Sequence, residues 1–193
     1  MSDEARLMLE ALELRRQAWS RAEEAVPVVE KLAGASVDAL RAGGQVVFFG
    51  NGGSASMAEH LAAELVGRYV SNERPPLASR SLTANSASVT AIGNDFGYET
   101  VFARQVQAVC RAGDVVVALS TSGRSPNVRA GLATAGERGC KTALFTGERG
   151  TEDPPPADFL VAAPASVTSA IQELHLFYGH LLCELIEAAF LPR

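Results

Sequence analysis

The feature that most constrains this chain is a pair of short, uninterrupted apolar runs, each followed at once by a loop of small polar residues. Gln45 to Gly50 reads QVVFFG and leads into Asn51-Gly52-Gly53-Ser54. Asp114 to Leu119 reads DVVVAL and leads into Ser120-Thr121-Ser122-Gly123-Arg124-Ser125-Pro126. A strand that is apolar at consecutive positions has both faces covered, as in a parallel sheet between two helical layers. Further strand segments run over Leu77 to Leu82, Lys141 to Phe145 and Asp158 to Val161. Helical patterns cover Ser54 to about Tyr69, with Ser54 as cap, then Ser86 to Ile92, Glu99 to Cys110, a stretch opening at Pro126 after a Ser125 cap, and about Val167 to Phe190. Glu152 to Ala157, with three prolines, is a surface loop. Strands alternating with helices predict the α/β class: a three-layer αβα sandwich around a mostly parallel sheet.

Ahead of the first strand, about Asp3 to Ala42 reads as helical, with Pro27 kinking or dividing it. Leu7, Leu12 and Trp19 sit on helical spacing, and Met8, Leu9 and Leu14 broaden the apolar stripe. A stripe that wide on a terminal helix suggests packing on two sides, one of them against another subunit. No long linker or internal repeat interrupts the chain, so residues 1–193 read as one domain with a helical N-terminal segment over about 1–42.

Charge and composition narrow the function. The formal net charge is −5 and no basic stripe is visible, so nucleic acid is not an expected partner. An anionic substrate would need local attraction. The longest apolar runs are strand-sized, and the charged N-terminus has no apolar signal core, so no membrane association is expected. Cys110, Cys140 and Cys183 are widely spaced and odd in number, which suits reduced thiols in a cytoplasmic protein. Lys31 and Lys141 are the only lysines and sit in no motif, which argues against Schiff-base chemistry.

Ligands in open parallel sheets collect at the carboxyl ends of the strands. The loop from Ser120 to Ser125 sets hydroxyls and free backbone N–H groups before a helix N-terminus, an arrangement suited to a phosphate. It lacks the Gly-Lys-Ser/Thr ending of a nucleotide loop, and the bland alternative is a Ser-rich turn with a good cap. The glycines after Asn51 allow close backbone approach to a ligand, or simply make a tight turn. His60 and Glu64 are four residues apart on one helix face and could share a proton, hold a metal, or form an ordinary surface pair. The last helix carries Gln172, His175 and His180 on an apolar background, where a core histidine is the usual reading of one of them.

With these residues assembled, the chain resembles the phosphoheptose isomerase family of the SIS (sugar isomerase) fold. The resemblance rests on GNGGSASMAEHLAAELVGRY at 50–69, SLTANSASVTAIGNDFGYETVF at 81–102, ALSTSGRSPNV at 118–128, IQELH at 171–175 and the following His180. It implies interconversion of sedoheptulose 7-phosphate and D-glycero-D-manno-heptose 7-phosphate, an early step toward nucleotide-activated heptose. It implies that Ser120, Thr121, Ser122 and Ser125 hold the phosphate. Asn51, Gly52, Gly53, Ser54, Asn94, Asp95, Glu64 and Gln172 would bind the sugar, and Glu64 and His180 would carry protons. It also implies one zinc per subunit on His60, Glu64, Gln172 and His180, and a homotetramer.

The chemistry fits, because moving a carbonyl between adjacent carbons needs a base, an acid and a stabilised enediolate. Gln172 and His180 are eight residues apart, about 12 Å along one helix. Either both side chains lean strongly or they serve sites shared between subunits, and the shared site is the expectation. Three positions depart from the family pattern: Arg124 replaces an Asn in the phosphate loop, Ala170 replaces an Arg, and the loop at Glu152-Asp153-Pro154 is short. Two competing readings are a non-catalytic SIS protein that binds a replication initiator, and an isomerase of another sugar phosphate.

Overall fold

The computed structural model describes residues 1–192. Five strands form one parallel sheet: β1 (Val46–Gly50), β2 (Ser79–Ser81), β3 (Val115–Leu119), β4 (Lys141–Gly147) and β5 (Phe159–Ala163), in the order β2-β1-β3-β4-β5. Every residue of β1 and β3 is buried. The reason is visible residue by residue. Val46 and Phe48 join the core on one side of the sheet, while Val47 and Phe49 join the core on the other. Val115 and Val117 alternate with Val116 and Ala118 in the same way. A strand sandwiched between two cores has no polar face to show, and its sequence becomes a continuous apolar run.

The described residues form seven α-helices: α1 (Asp3–Trp19), α2 (Val26–Arg41), α3 (Gly53–Val66), α4 (Ser86–Phe96), α5 (Val101–Val109), α6 (Pro126–Glu137) and α7 (Thr168–Ala188). Helices α2, α3 and α7 contribute to one core, and α5 and α6 to the other. The N-terminal helical segment divides at a 3-10 turn over Ala22–Ala25, and Pro27 lies in the first turn of α2. There its missing N–H costs nothing, so it starts a helix and does not kink one. Tyr178 on α7 donates to the Ala22 carbonyl at 3.0 Å and ties this turn to the core.

Other boundaries differ from the sequence reading for local reasons. The cap of α3 is Gly52, and Ser54 is buried inside the first turn. Helix α3 stops at Val66 because Gly67 leaves the helical region. Helix α4 continues past Ile92 to Phe96, where Gly97 turns out at φ 88°. Ser125 does cap α6, but its side chain makes no capping bond. None of the described helices is long and apolar enough to cross a membrane.

The strand order matters for function. From β1 the chain crosses to β2 on one side, and later to β3 on the other. The loops after β1 and β3 therefore diverge and leave a crevice at the carboxyl edge of the sheet, where ligands of such folds bind.

Candidate active site

Two neighbourhoods matter here, one at this edge and one that starts at the edge and runs down the flanking helices. The first is the loop after β3. Gly123 N–H donates to the Ser120 carbonyl at 3.1 Å and closes a turn, and Arg124 N–H donates to Ser122 Oγ at 3.2 Å. Ser120 is buried, with its hydroxyl 3.5 Å from that of Ser125. Between this loop and the start of α7 lies a cavity of about 200 Å³, lined by Thr121, Ser122, Arg124, Arg149, Ser166 and Thr168. Hydroxyls, two guanidiniums and the N-terminus of α7 thus surround one small space, which suits an anion. The Arg124 guanidinium is tied to Glu152 at 3.0 Å, so the short loop that departs from the family pattern supplies its partner.

The loop after β1 is joined to this one by a reciprocal amide pair. Asn51 donates to Asn127 Oδ1 and Asn127 donates to Asn51 Oδ1, both at 2.9 Å. Tyr98 donates its hydroxyl to the same Asn51 oxygen at 3.1 Å. Asn127 and Tyr98 were not singled out from the sequence. Asn127 follows Pro126 in the first turn of a helix and reads there as an ordinary polar residue.

The second neighbourhood lies along α3 and α7, which run side by side in the same direction. At the top, Gln172 fills the space a side chain on Gly53 would need: a Cβ there would meet the Gln172 amide nitrogen at 2.7 Å. Lower down, Gly179 lets the Leu61 side chain approach to where a Cβ would lie 2.6 Å away. That close approach sets His180 beside His60. Their Nε2 atoms are 2.8 Å apart, and His60 Nε2 is 3.3 Å from Glu64 Oε1. The three residues each offer a ligand atom within 4.8 Å of the others. Burial lowers the His180 pKa and the His60 imidazole lowers it further, with Glu64 opposing, so the neutral ring is favoured.

Two imidazole nitrogens and a carboxylate oxygen are a zinc-type donor set. Ligands bound at about 2.0–2.2 Å stand roughly 3.3 Å apart around a tetrahedral zinc. The 2.8 and 3.3 Å separations lie near that value, so the residues fit such an ion. Gln172 does not join them. It packs at Gly53, seven residues before His60 and about 10 Å up α3. The span between Gln172 and His180 is therefore not bridged within one chain, whereas Glu64 and His180 do meet within one chain. The cluster of His60, Glu64 and His180 is thus complete within one chain, and Gln172 stands apart from it.

Asn94 and Asp95, on the last turn of α4, bond to each other at 2.7 Å. Asp95 lines an open groove of about 860 Å³ together with Arg80, Phe96 and Arg104. From this segment it is Tyr98, not Asn94 or Asp95, that reaches the β1 loop. His175 is the core histidine of α7: it is fully buried, faces Phe145, and neither ring nitrogen has a hydrogen-bond partner.

Comparison with known proteins agrees with this geometry. A family model described as the SIS domain matches residues 12–147. The phosphoheptose isomerase of Akkermansia muciniphila is 48% identical over 159 residues, covering 82% of this chain and 84% of that protein. That of Rhodospirillum rubrum is 47% identical over 166 residues, covering 86% and 88%. The solved structure of a phosphoheptose isomerase from Francisella tularensis superposes with a TM-score of 0.91 at 31% identity, covering 97% of this chain and 100% of that one. With this similarity along most of its length, and an α/β sheet flanked by helices that carry a His-Glu-His cluster, the chain belongs to the phosphoheptose isomerase family of SIS-domain aldose-ketose isomerases.

Proposed function

We propose that this chain is a cytoplasmic phosphoheptose isomerase that converts sedoheptulose 7-phosphate to D-glycero-D-manno-heptose 7-phosphate. The observation that carries the reading is the convergence of His60, Glu64 and His180 within 4.8 Å, on helices α3 and α7 that flank the sheet. In this reading Ser120, Thr121, Ser122 and Ser125 hold the phosphate. Asn51, Gly52, Gly53, Ser54, Gln172, Asn94 and Asp95 serve the sugar chain.

Isomerisation requires a proton to leave C1 of the ketose and a proton to return to C2. The hydroxyl at C1 becomes the aldehyde and the carbonyl at C2 becomes a hydroxyl. A neutral His180 takes the carbon proton, and its lowered pKa supports that state. Glu64 moves protons between the two oxygens of the enediolate. His60, Glu64 and His180 are the residues that would hold one zinc, with Gln172 as a fourth ligand only if it is supplied from elsewhere than its seat at Gly53. Zinc so bound would stabilise negative charge developing on the substrate oxygens. The same His180 nitrogen can serve as ligand or as base, not as both at once.

The homotetramer is part of the reading. Helix α4 has no buried residue, and Phe96 and Tyr98 are 50% and 54% exposed. Leu7, Met8, Leu9 and Leu12 on α1 are all more than half exposed. Apolar faces of this kind support burial against further copies of the chain. Three free, buried cysteines suit a reducing compartment.

The test is incubation of the purified protein with sedoheptulose 7-phosphate, with the product identified, before and after treatment with a chelator and metal analysis. Formation of the aldose supports the isomerase. Loss of activity on chelation, with restoration by zinc, supports the ligand role of the three residues. Full activity in metal-free protein leaves them as acid, base and substrate groups.

A further inference from the structure

Glu187 lies two turns beyond His180 on α7, and so on the same helix face. Its carboxylate accepts hydrogen bonds from the backbone N–H groups of Tyr69 (3.0 Å), Val70 (2.8 Å) and Ser71 (2.9 Å), and from Arg74 Nε (2.9 Å). Burial would raise its pKa, but these donors outweigh that and hold it at about 2. Arg74 uses its remaining donors on backbone carbonyls. Nη2 reaches the carbonyl of Glu64 at 2.6 Å, and Nη1 reaches those of Leu65 at 2.9 Å and Pro75 at 3.0 Å. Both side chains are buried, 0% and 5% exposed.

We propose that Arg74 and Glu187 are positioning residues that hold the backbone of Glu64 and the α7 face bearing His180 at the separation the reaction needs. A helix ends with carbonyls that have no partner inside it, and the end of α3 could have been satisfied by water or by a glycine turn. Here it is satisfied by a guanidinium whose other edge is fixed to the helix that carries His180. The carbonyl held at 2.6 Å belongs to Glu64 itself. Tyr69, whose N–H is held by Glu187, sets its ring with its centroid 5.6 Å from that of His180. A buried ion pair is a poor source of net stability compared with apolar side chains of the same size, but it fixes geometry in a way they do not. Moving Glu64 relative to His180 by a fraction of an ångström changes proton transfer while leaving the loop from Ser120 to Ser125, at the end of another strand, untouched.

This inference rests on the isomerase reading, and one set of measurements separates the two. Arg74→Lys keeps the charge but removes the fork that bonds two elements at once; Glu187→Gln keeps the shape but removes the charge. Turnover of sedoheptulose 7-phosphate is measured for each folded variant, with inorganic phosphate as a competitive ligand for the phosphate loop. The expected result is a fall in kcat of ~10–100-fold, with KM and the inhibition constant of inorganic phosphate within about twofold of wild type. Should Glu187→Gln fail to fold, Arg74→Lys decides alone. A folded variant with wild-type kcat overturns the positioning role, as does weakened phosphate inhibition in step with kcat, which marks general loosening of the fold. A wild-type protein inactive on this substrate overturns the isomerase reading itself, and the positioning role with it.

Discussion

The Nε2 atoms of His60 and His180 stand 2.8 Å apart although 120 residues separate them in the chain. The contact exists because α3 and α7 approach closely at Gly179, where the Leu61 side chain occupies the space of a missing Cβ. It places the His60–Glu64 helix face and His180 in one chain.

Glu64→Gln and His180→Ala are each expected to lower kcat by at least ~10²–10⁴-fold, the range of a lost acid or base, with thermal unfolding showing a folded protein. Because both residues belong to one chain's cluster, mixing and co-refolding the two variants is expected to restore nothing. Recovery of activity in confirmed hetero-oligomers would show that the working pair spans two subunits.

How much of this was legible in the sequence differs from element to element. β1 and β3 were, because a strand covered on both faces has no choice but to be apolar throughout, and the Ser-rich loop after β3 follows from its place at a strand end. The His60–Glu64 pair was legible from helical spacing. The partner of Gln172 was not: spacing along α7 gives its distance from His180, but only the path of α3 puts Gly53 beside it. Arg74 and Glu187 were missed because a lone Arg in a loop and a Glu near the end of a helix both read as solvated charges. Their 113-residue separation leaves no local signal.

Ser120→Ala combined with Ser122→Ala is expected to raise KM by about tenfold or more, as charge-assisted hydrogen bonds to a phosphate are lost, while kcat stays within a few-fold. Steady-state kinetics checks this. A fall in kcat with unchanged KM would place the phosphate elsewhere.

Asn127→Ala removes one half of the reciprocal pair with Asn51 and leaves the other half with a single partner in Tyr98. A loss of ~1–3 kcal/mol in unfolding free energy is expected from the unpaired amide. KM should rise because the β1 loop is no longer pinned to the start of α6. Denaturant titration and kinetics measure the two effects separately.

Burial depresses the His175 pKa to about 4. In the unfolded chain the same group titrates near 6.5. Between those values the unfolded state binds more protons. Stability supplied by the neutral ring is therefore complete above about pH 6.5 and is lost as the pH falls toward 4, by roughly 3 kcal/mol. His175→Leu removes the titrating group and is expected to flatten this limb of the stability curve. An unchanged curve between pH 6.5 and 4 in that variant would assign the acid sensitivity to other groups.

The most direct test of the account is turnover of sedoheptulose 7-phosphate in deuterium oxide, followed by NMR of the product. The expected product is D-glycero-D-manno-heptose 7-phosphate carrying deuterium at C2, because the proton taken from C1 exchanges with solvent before a proton returns to the enediolate. Recovery of the ketose unchanged, with no aldose formed by folded, metal-replete protein, would contradict it.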